Sequence, residues 1–104
     1  MNEETKRLLS EWNLDESIVF DNPSYETAIV GYDIHTNRII YDYERMIDYL
    51  VKNEQMNEEE AVEFIDYNTI RSLNYIENAP IILNRVSLSF GYFLVYQIQY
   101  PKLH

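Results

Sequence analysis

Three carboxylates that lie at or near the ends of predicted strands could do chemistry together: Asp33, Asp42 and Glu44. Two or three carboxylates that converge on one Mg²⁺ ion can support phosphodiester hydrolysis. Nucleases of this kind usually add a nearby base to bind phosphate, and this region offers only Arg38 and Arg45. The alternative interpretation is that these acids are solvated side chains around a turn and a helix cap. A metal-dependent phosphodiesterase or nuclease is therefore an alternative, and not the first prediction.

Other catalytic groups are scarce in the sequence. His35 falls in a predicted turn and His104 is the last residue of the sequence, while the chain has no cysteine. No serine stands in a nucleophile-elbow setting, and no glycine-rich segment could cradle a phosphate. We therefore expect a protein that is not an enzyme and uses no cofactor.

The composition limits the class of partner. The 104 residues carry 18 acidic and 8 basic side chains, for a formal charge of −10. Eight dispersed bases cannot neutralise many phosphates, so we expect no direct binding to nucleic acid. The high apolar and aromatic content excludes a disordered tail. With no apolar N-terminal segment and no run long enough to span a bilayer, the sequence predicts a cytoplasmic protein that does not bind membranes.

The hydrophobic pattern predicts three helices. The first covers residues 3–12 with Asn2 as its N-cap, and the second covers 43–53 with Asp42 as its N-cap. The third covers 57–67, where Asn57 and Glu60 have the spacing of a capping box. An unbroken third helix would place Ile70 and Leu73 on its acidic face. We therefore predict an end or kink near Tyr67 and Asn68, with Asn68 as a backbone cap. Tyr43 and Tyr67 are predicted to be core or helix-packing residues.

Residues rich in β-branched and aromatic side chains predict the strands. A hairpin joins 27–34 to 38–42 through a turn at 35–37, a buried strand covers 81–83, and a long strand covers 92–100. Residues 15–20 are predicted to lead into a further strand. Together these elements predict an α+β fold, a small antiparallel sheet with two to three helices packed on one face. We expect a single domain over 1–104, with an acidic body over 1–84 and an aromatic C-terminal strand segment over 85–104.

Acidic side chains are concentrated on the second and third predicted helices. A rigid array of this kind could occupy a basic groove that is built for DNA or RNA. The simpler alternative is an acidic surface that keeps the protein soluble. The predicted partner-binding residues are Glu44, Asp48, Glu58, Glu59, Glu60, Glu63 and Asp66.

Three sequence segments resemble a widespread family of small acidic proteins encoded by bacteriophages, prophages and their hosts. The segments are YDYE at 41–44, EEAVEFIDYNT at 59–69 and APII at 79–82. The similarity covers roughly residues 29–83, and the family motif carries no assigned reaction. Phage genomes encode many short acidic proteins that disable host defences, among them anti-CRISPR proteins. The resemblance therefore implies an anti-defence role by analogy.

These observations lead to one prediction of function with two alternatives. The first is a non-enzymatic, anti-CRISPR-like inhibitor that mimics nucleic acid and binds a host protein through a basic nucleic-acid-binding groove, such as that of an RNA-guided CRISPR nuclease. The alternatives are the metal-dependent phosphodiesterase and a self-associating structural or assembly module. In the inhibitor the C-terminal strand would supply an aromatic anchor or a homodimer contact through Tyr92, Tyr96 and Tyr100. In the self-associating module the same strand would drive oligomerisation.

Overall fold

The computed structural model describes residues 1–87 and 94–99. Within them the helices are α1 (Glu3–Glu11), α2 (Tyr43–Asn53) and α3 (Glu58–Phe64). The strands are β1 (Ile29–Tyr32), β2 (Ile39–Asp42), β3 (Ile81–Ser87) and β4 (Leu94–Gln99). A π-helical segment, Ile65–Ile70, continues α3, and short 3₁₀ turns occupy Glu26–Ala28 and Leu73–Tyr75. This arrangement confirms the predicted α+β fold.

The strands form one mixed sheet in the order β1-β2-β3-β4 among the residues described. The predicted hairpin is confirmed, because β1 and β2 pair antiparallel. β2 and β3 pair parallel, so the prediction of a purely antiparallel sheet is wrong. The reason is the crossover: the chain leaves β2 into α2, passes through α3 and returns to β3 in the same direction, as in other parallel pairs joined by helices. β4 extends the sheet by pairing antiparallel with β3.

The core lies where α2 meets the sheet. Met46 and Leu50 of α2 are fully buried, as are Ile39 and Tyr41 of β2 and Ile82 of β3. α3 packs against α2, and α1 adds only the half-buried Leu9 to this core. The predicted apolar stripe of α1 is therefore largely solvent-exposed, with Trp12 62% exposed and in contact with the ring of Tyr32.

Local capping explains where the helices begin. Asn2 Oδ1 accepts a hydrogen bond from the Thr5 amide (2.9 Å), and Asp42 Oδ2 accepts one from the Arg45 amide (3.0 Å). At α3 the predicted capping box is complete, because Asn57 and Glu60 each accept a hydrogen bond from the other's amide. Residues 15–20, which were predicted to lead into a further strand, form turns and irregular structure, and no additional strand follows them before β1.

The end or kink that was predicted near Tyr67 and Asn68 takes the form of a change in helix geometry. α3 ends at Phe64 and the chain continues as the π-helical segment, with Asn68 inside this segment and not at a helix end. The wider turns rotate the following residues, so that Leu73 is buried and Ile70 is half-buried instead of falling on the acidic face, and Thr69 is buried as well. Thr69 Oγ1 then lies 2.8 Å from the hydroxyl of the buried Tyr25. The apolar residues Ile70 and Leu73, which would lie on the acidic face of an unbroken α-helix, therefore correctly indicated altered helix geometry in this region.

Candidate acidic binding groove

A groove of about 380 Å³ lies where α2, α3 and β3 meet. Its acidic residues are Glu44 and Asp48, one turn apart on α2, and Glu58 in the first turn of α3. Its remaining lining residues are Tyr43, Ile47, Asn84 and Arg85. We call this feature the acidic groove. It brings together carboxylates from two helices that are far apart in sequence.

A partly buried ion pair lies at the edge of the acidic groove, which Arg85 lines. Asp42, with a side chain only 1% exposed, accepts a hydrogen bond from Arg85 Nε at 3.1 Å. Arg85 also lies 3.4 Å from Glu44 through its second nitrogen, so its guanidinium joins the two acids. The Asp42 contact connects β3 to the start of α2 and places the Arg85 guanidinium beside Glu44. The ion pair also partly neutralises Glu44, whereas Asp48 and Glu58 make no ion pair within the described part of the chain.

A second contact fixes α2 relative to the π-helical segment. The Tyr43 hydroxyl donates a hydrogen bond to Asp66 Oδ1 at 2.9 Å. Burial, together with the negative Asp66 carboxylate, raises the pKa of Tyr43 to about 12. Tyr43 therefore stays protonated and keeps donating to Asp66 over the physiological pH range. As predicted, Tyr43 packs between helices, but Tyr67 does not, since it is 66% exposed.

The seven predicted partner-binding acids are all solvent-exposed, but they do not form one patch. Glu44, Asp48 and Glu58 line the acidic groove, and Asp66 lies beside it through its contact with Tyr43. Glu59 and Glu63 lie one turn apart on α3 outside the groove lining, and Glu60 is engaged in the capping box. Sequence reasoning missed Arg85 and Asn84. Arg85 could have been suspected as one of only two bases after residue 80.

The carboxylates considered as metal ligands are used in other ways. Asp33 Oδ1 accepts a hydrogen bond from the His35 amide at 2.8 Å and so stabilises the hairpin turn. Asp42 caps α2 and shares Arg85 with Glu44. Among residues 1–87 and 94–99, no group of three or more acidic or histidine side chains is arranged to hold a metal ion.

The predicted contact residues of the C-terminal strand are only partly covered by the structure. Tyr96 lies in β4, where its backbone is in register with Arg85 of β3. Tyr92 and Tyr100 lie outside the described residues. One edge of β4 is therefore paired with β3 of the same chain, and the homodimer through this strand stays a prediction.

A second groove, of about 430 Å³, is formed mainly by loops at 13–18, 36–38 and 77–78. Asn13, Asn37 and Asn78 line it in left-handed backbone conformations, with φ of 60°, 60° and 56°. Asparagine tolerates this region better than most residues, so these positions are explained by the turns themselves. None of the seven predicted partner-binding acids lines this groove.

Comparison of the chain with protein-family models, curated proteins and solved structures finds no match. The resemblance to small acidic phage proteins thus stays a prediction. No helix among the described residues is both long and apolar enough to cross a membrane.

Proposed function

We propose that this protein is a non-enzymatic inhibitor of the phage anti-defence type. Its acidic groove would bind the basic nucleic-acid-binding surface of a host protein, such as an RNA-guided CRISPR nuclease. The observation that supports this proposal best is the position of Glu44, Asp48 and Glu58 around one groove. These acids would take the place of nucleic-acid phosphates.

The groove acids are held on elements whose geometry is set by local contacts. Asp42 caps α2, the capping box fixes the start of α3, and the bond from Tyr43 to Asp66 ties the two helical segments together. Charges carried on fixed helices lose less backbone conformational entropy on binding than charges on flexible loops. This favours specific recognition over a solubilising surface.

The charge of the whole chain would assist the encounter. A formal charge of −10 creates a long-range field that attracts basic surfaces and raises association rates, and salt screens this field. Complex formation should therefore weaken steeply as ionic strength rises. Binding to an uncharged apolar surface would lack this dependence.

The test is capture from bacterial lysate with the tagged full chain, with and without nuclease treatment, at low and high salt. The groove variant replaces Glu44, Asp48 and Glu58 by Gln, Asn and Gln. The matched control replaces the exposed Glu16, Glu54 and Glu77 by Gln, which changes the net charge equally. We expect the wild type and the control to retain a nucleic-acid-binding protein at low salt and the groove variant to lose it.

Three outcomes would contradict the proposal. If the groove variant and the control lose the partner equally, net charge decides binding and the groove does not. If the partner is released by nuclease, nucleic acid bridges the two proteins. If no nucleic-acid-binding protein is captured at any salt concentration, the self-associating module becomes the preferred function, followed by the metal-dependent enzyme.

A further inference from the structure

An exposed row of side chains runs along the outer face of α3 and the π-helical segment. Its members, four positions apart, are Glu63, Tyr67 and Arg71. Tyr67 is 66% exposed, and Glu63 and Arg71 are also exposed. None of the three side chains makes a hydrogen bond or ion pair within the described part of the chain. Tyrosine and arginine are the residue types that most often dominate binding at protein interfaces.

The π-helical geometry keeps this row straight. In an α-helix, positions four apart drift sideways around the axis, because a turn takes 3.6 residues. A turn takes more than four residues where hydrogen bonds close over five, as they do between Ile65 and Ile70. The four steps from Glu63 in α3 to Tyr67, and those from Tyr67 to Arg71 just beyond the segment, mix the two geometries and so come closer to one full turn. The segment that buries Thr69 therefore also aligns Glu63, Tyr67 and Arg71.

The row is self-complementary. If two copies place these segments antiparallel about a two-fold axis through Tyr67, Glu63 of each copy faces Arg71 of the other. The two Tyr67 rings then meet at the axis. This is the pattern of an isologous interface, where residue i contacts j and j contacts i. Within one chain, Glu63 and Arg71 are two turns apart and do not pair.

We propose that the row Glu63, Tyr67 and Arg71 is a homodimer surface and that its occupant is a second copy of this chain. The charge pattern selects a second copy, because the acid and the base of the row are placed symmetrically around its central tyrosine. A single helix pair covers less area than the roughly 1,200–2,000 Å² buried in stable complexes. Because the contact area is small and two acidic chains repel each other, we expect a weak dimer, with a dissociation constant on the order of micromolar to millimolar.

The test is sedimentation equilibrium of the full chain over micromolar to millimolar concentrations at moderate salt. Arg71→Glu places four acids at the interface and Glu63→Arg places four bases there, so each variant alone should bind itself at least about tenfold more weakly. The double variant, Glu63→Arg with Arg71→Glu, restores both pairs and should dimerise like the wild type. An equimolar mixture of the two single variants should form a heterodimer for the same reason.

The matched control is Glu77→Arg, an exposed charge reversal outside the row. Far-UV circular dichroism checks that each variant is folded; if a reversal unfolds the chain, Arg71→Ala replaces it and should also weaken the dimer. A wild type that stays monomeric at millimolar concentration would overturn the proposal. So would a dimer that is unaffected by Arg71→Glu, or a double variant that does not recover. None of these results depends on capture of a host protein, so this proposal and the proposed function can fail separately.

Discussion

Replacing Asp42 by Ala removes the side chain that connects the helix carrying Glu44 and Asp48 to the sheet. Asp42 is buried, accepts one hydrogen bond from the Arg45 amide at the start of α2, and accepts another from Arg85 Nε of β3. The Ala variant loses both contacts at once. The structure therefore predicts a large loss of stability from one residue of β2.

The size of this loss follows from the two contacts. Loss of a helix N-cap costs about 1 kcal/mol. A hydrogen bond between charged groups contributes about 1.5–3 kcal/mol, and we take the lower part of that range because the Arg85 side chain is 32% exposed. Removal of a buried carboxylate also relieves its desolvation, which limits the total. We expect Asp42→Ala to lower the free energy of unfolding by about 2–4 kcal/mol. This is a large share of the roughly 5–15 kcal/mol of a typical domain.

Urea denaturation followed by circular dichroism measures this effect. Asp42→Asn keeps an acceptor for the helix cap but loses the charge, so we expect it to cost about 1–2 kcal/mol. Asp48→Ala, an exposed acid on the same helix with no ion pair among the described residues, serves as the control and should change stability by less than about 0.5 kcal/mol. If Asp42→Ala costs no more than Asp48→Ala, the role assigned to the partly buried ion pair is wrong.

Three further predictions concern pH, capping and metal. Burial raises the pKa of Tyr41 and of Tyr43 from 10 to about 12, so the folded state favours the protonated rings. The contribution of these two tyrosines to the free energy of unfolding should therefore be constant up to about pH 10 and fall as the pH rises from 10 toward 12. Urea midpoints that stay constant from pH 10 to 12 would contradict this prediction. Asn57→Ala, which removes the capping box of α3, should cost about 1 kcal/mol in the same denaturation assay, whereas Asn57→Asp should be nearly neutral. Calorimetry with millimolar Mg²⁺ should show no binding heat, because Arg85 already engages Asp42 and Glu44; saturable heat that disappears in Asp42→Asn would favour the metal-dependent enzyme.

Local patterns in the sequence were sufficient to predict α2 and its cap. Met46 and Leu50 are spaced one helical turn apart, and the Asp42 side chain accepts a hydrogen bond from an amide three residues later. Both signals act within one or two turns, so they can be recognised directly in the sequence. The capping box of α3 was predictable for the same reason. The π-helical segment was visible in the sequence only as a conflict between apolar and acidic positions, because the hydrogen bond that it makes, between Tyr25 and Thr69, joins residues 44 positions apart.

The acidic groove depends on contacts that no local pattern reveals. Its acids on α2 and α3 were predicted, but the parallel pairing of β2 with β3 was not, and this pairing brings Arg85 to Asp42 across 43 positions. Arg85 was assigned to the aromatic C-terminal segment, although it completes the groove. The seven predicted acids also divide between the groove and its surroundings. Glu60, for example, forms part of the capping box of α3 and does not line the groove.

The central claim is that the acidic groove competes with nucleic acid for a basic surface. The most direct measurement is fluorescence anisotropy of a labelled oligonucleotide bound to the purified captured protein, titrated with the wild-type chain, the Glu44, Asp48 and Glu58 variant, and the Glu16, Glu54 and Glu77 control. We expect the wild type and the control to displace the oligonucleotide at low salt, and the groove variant to require at least about tenfold more protein, which corresponds to 1.4 kcal/mol. Equal displacement by the groove variant, or no displacement by the wild type, would contradict the claim.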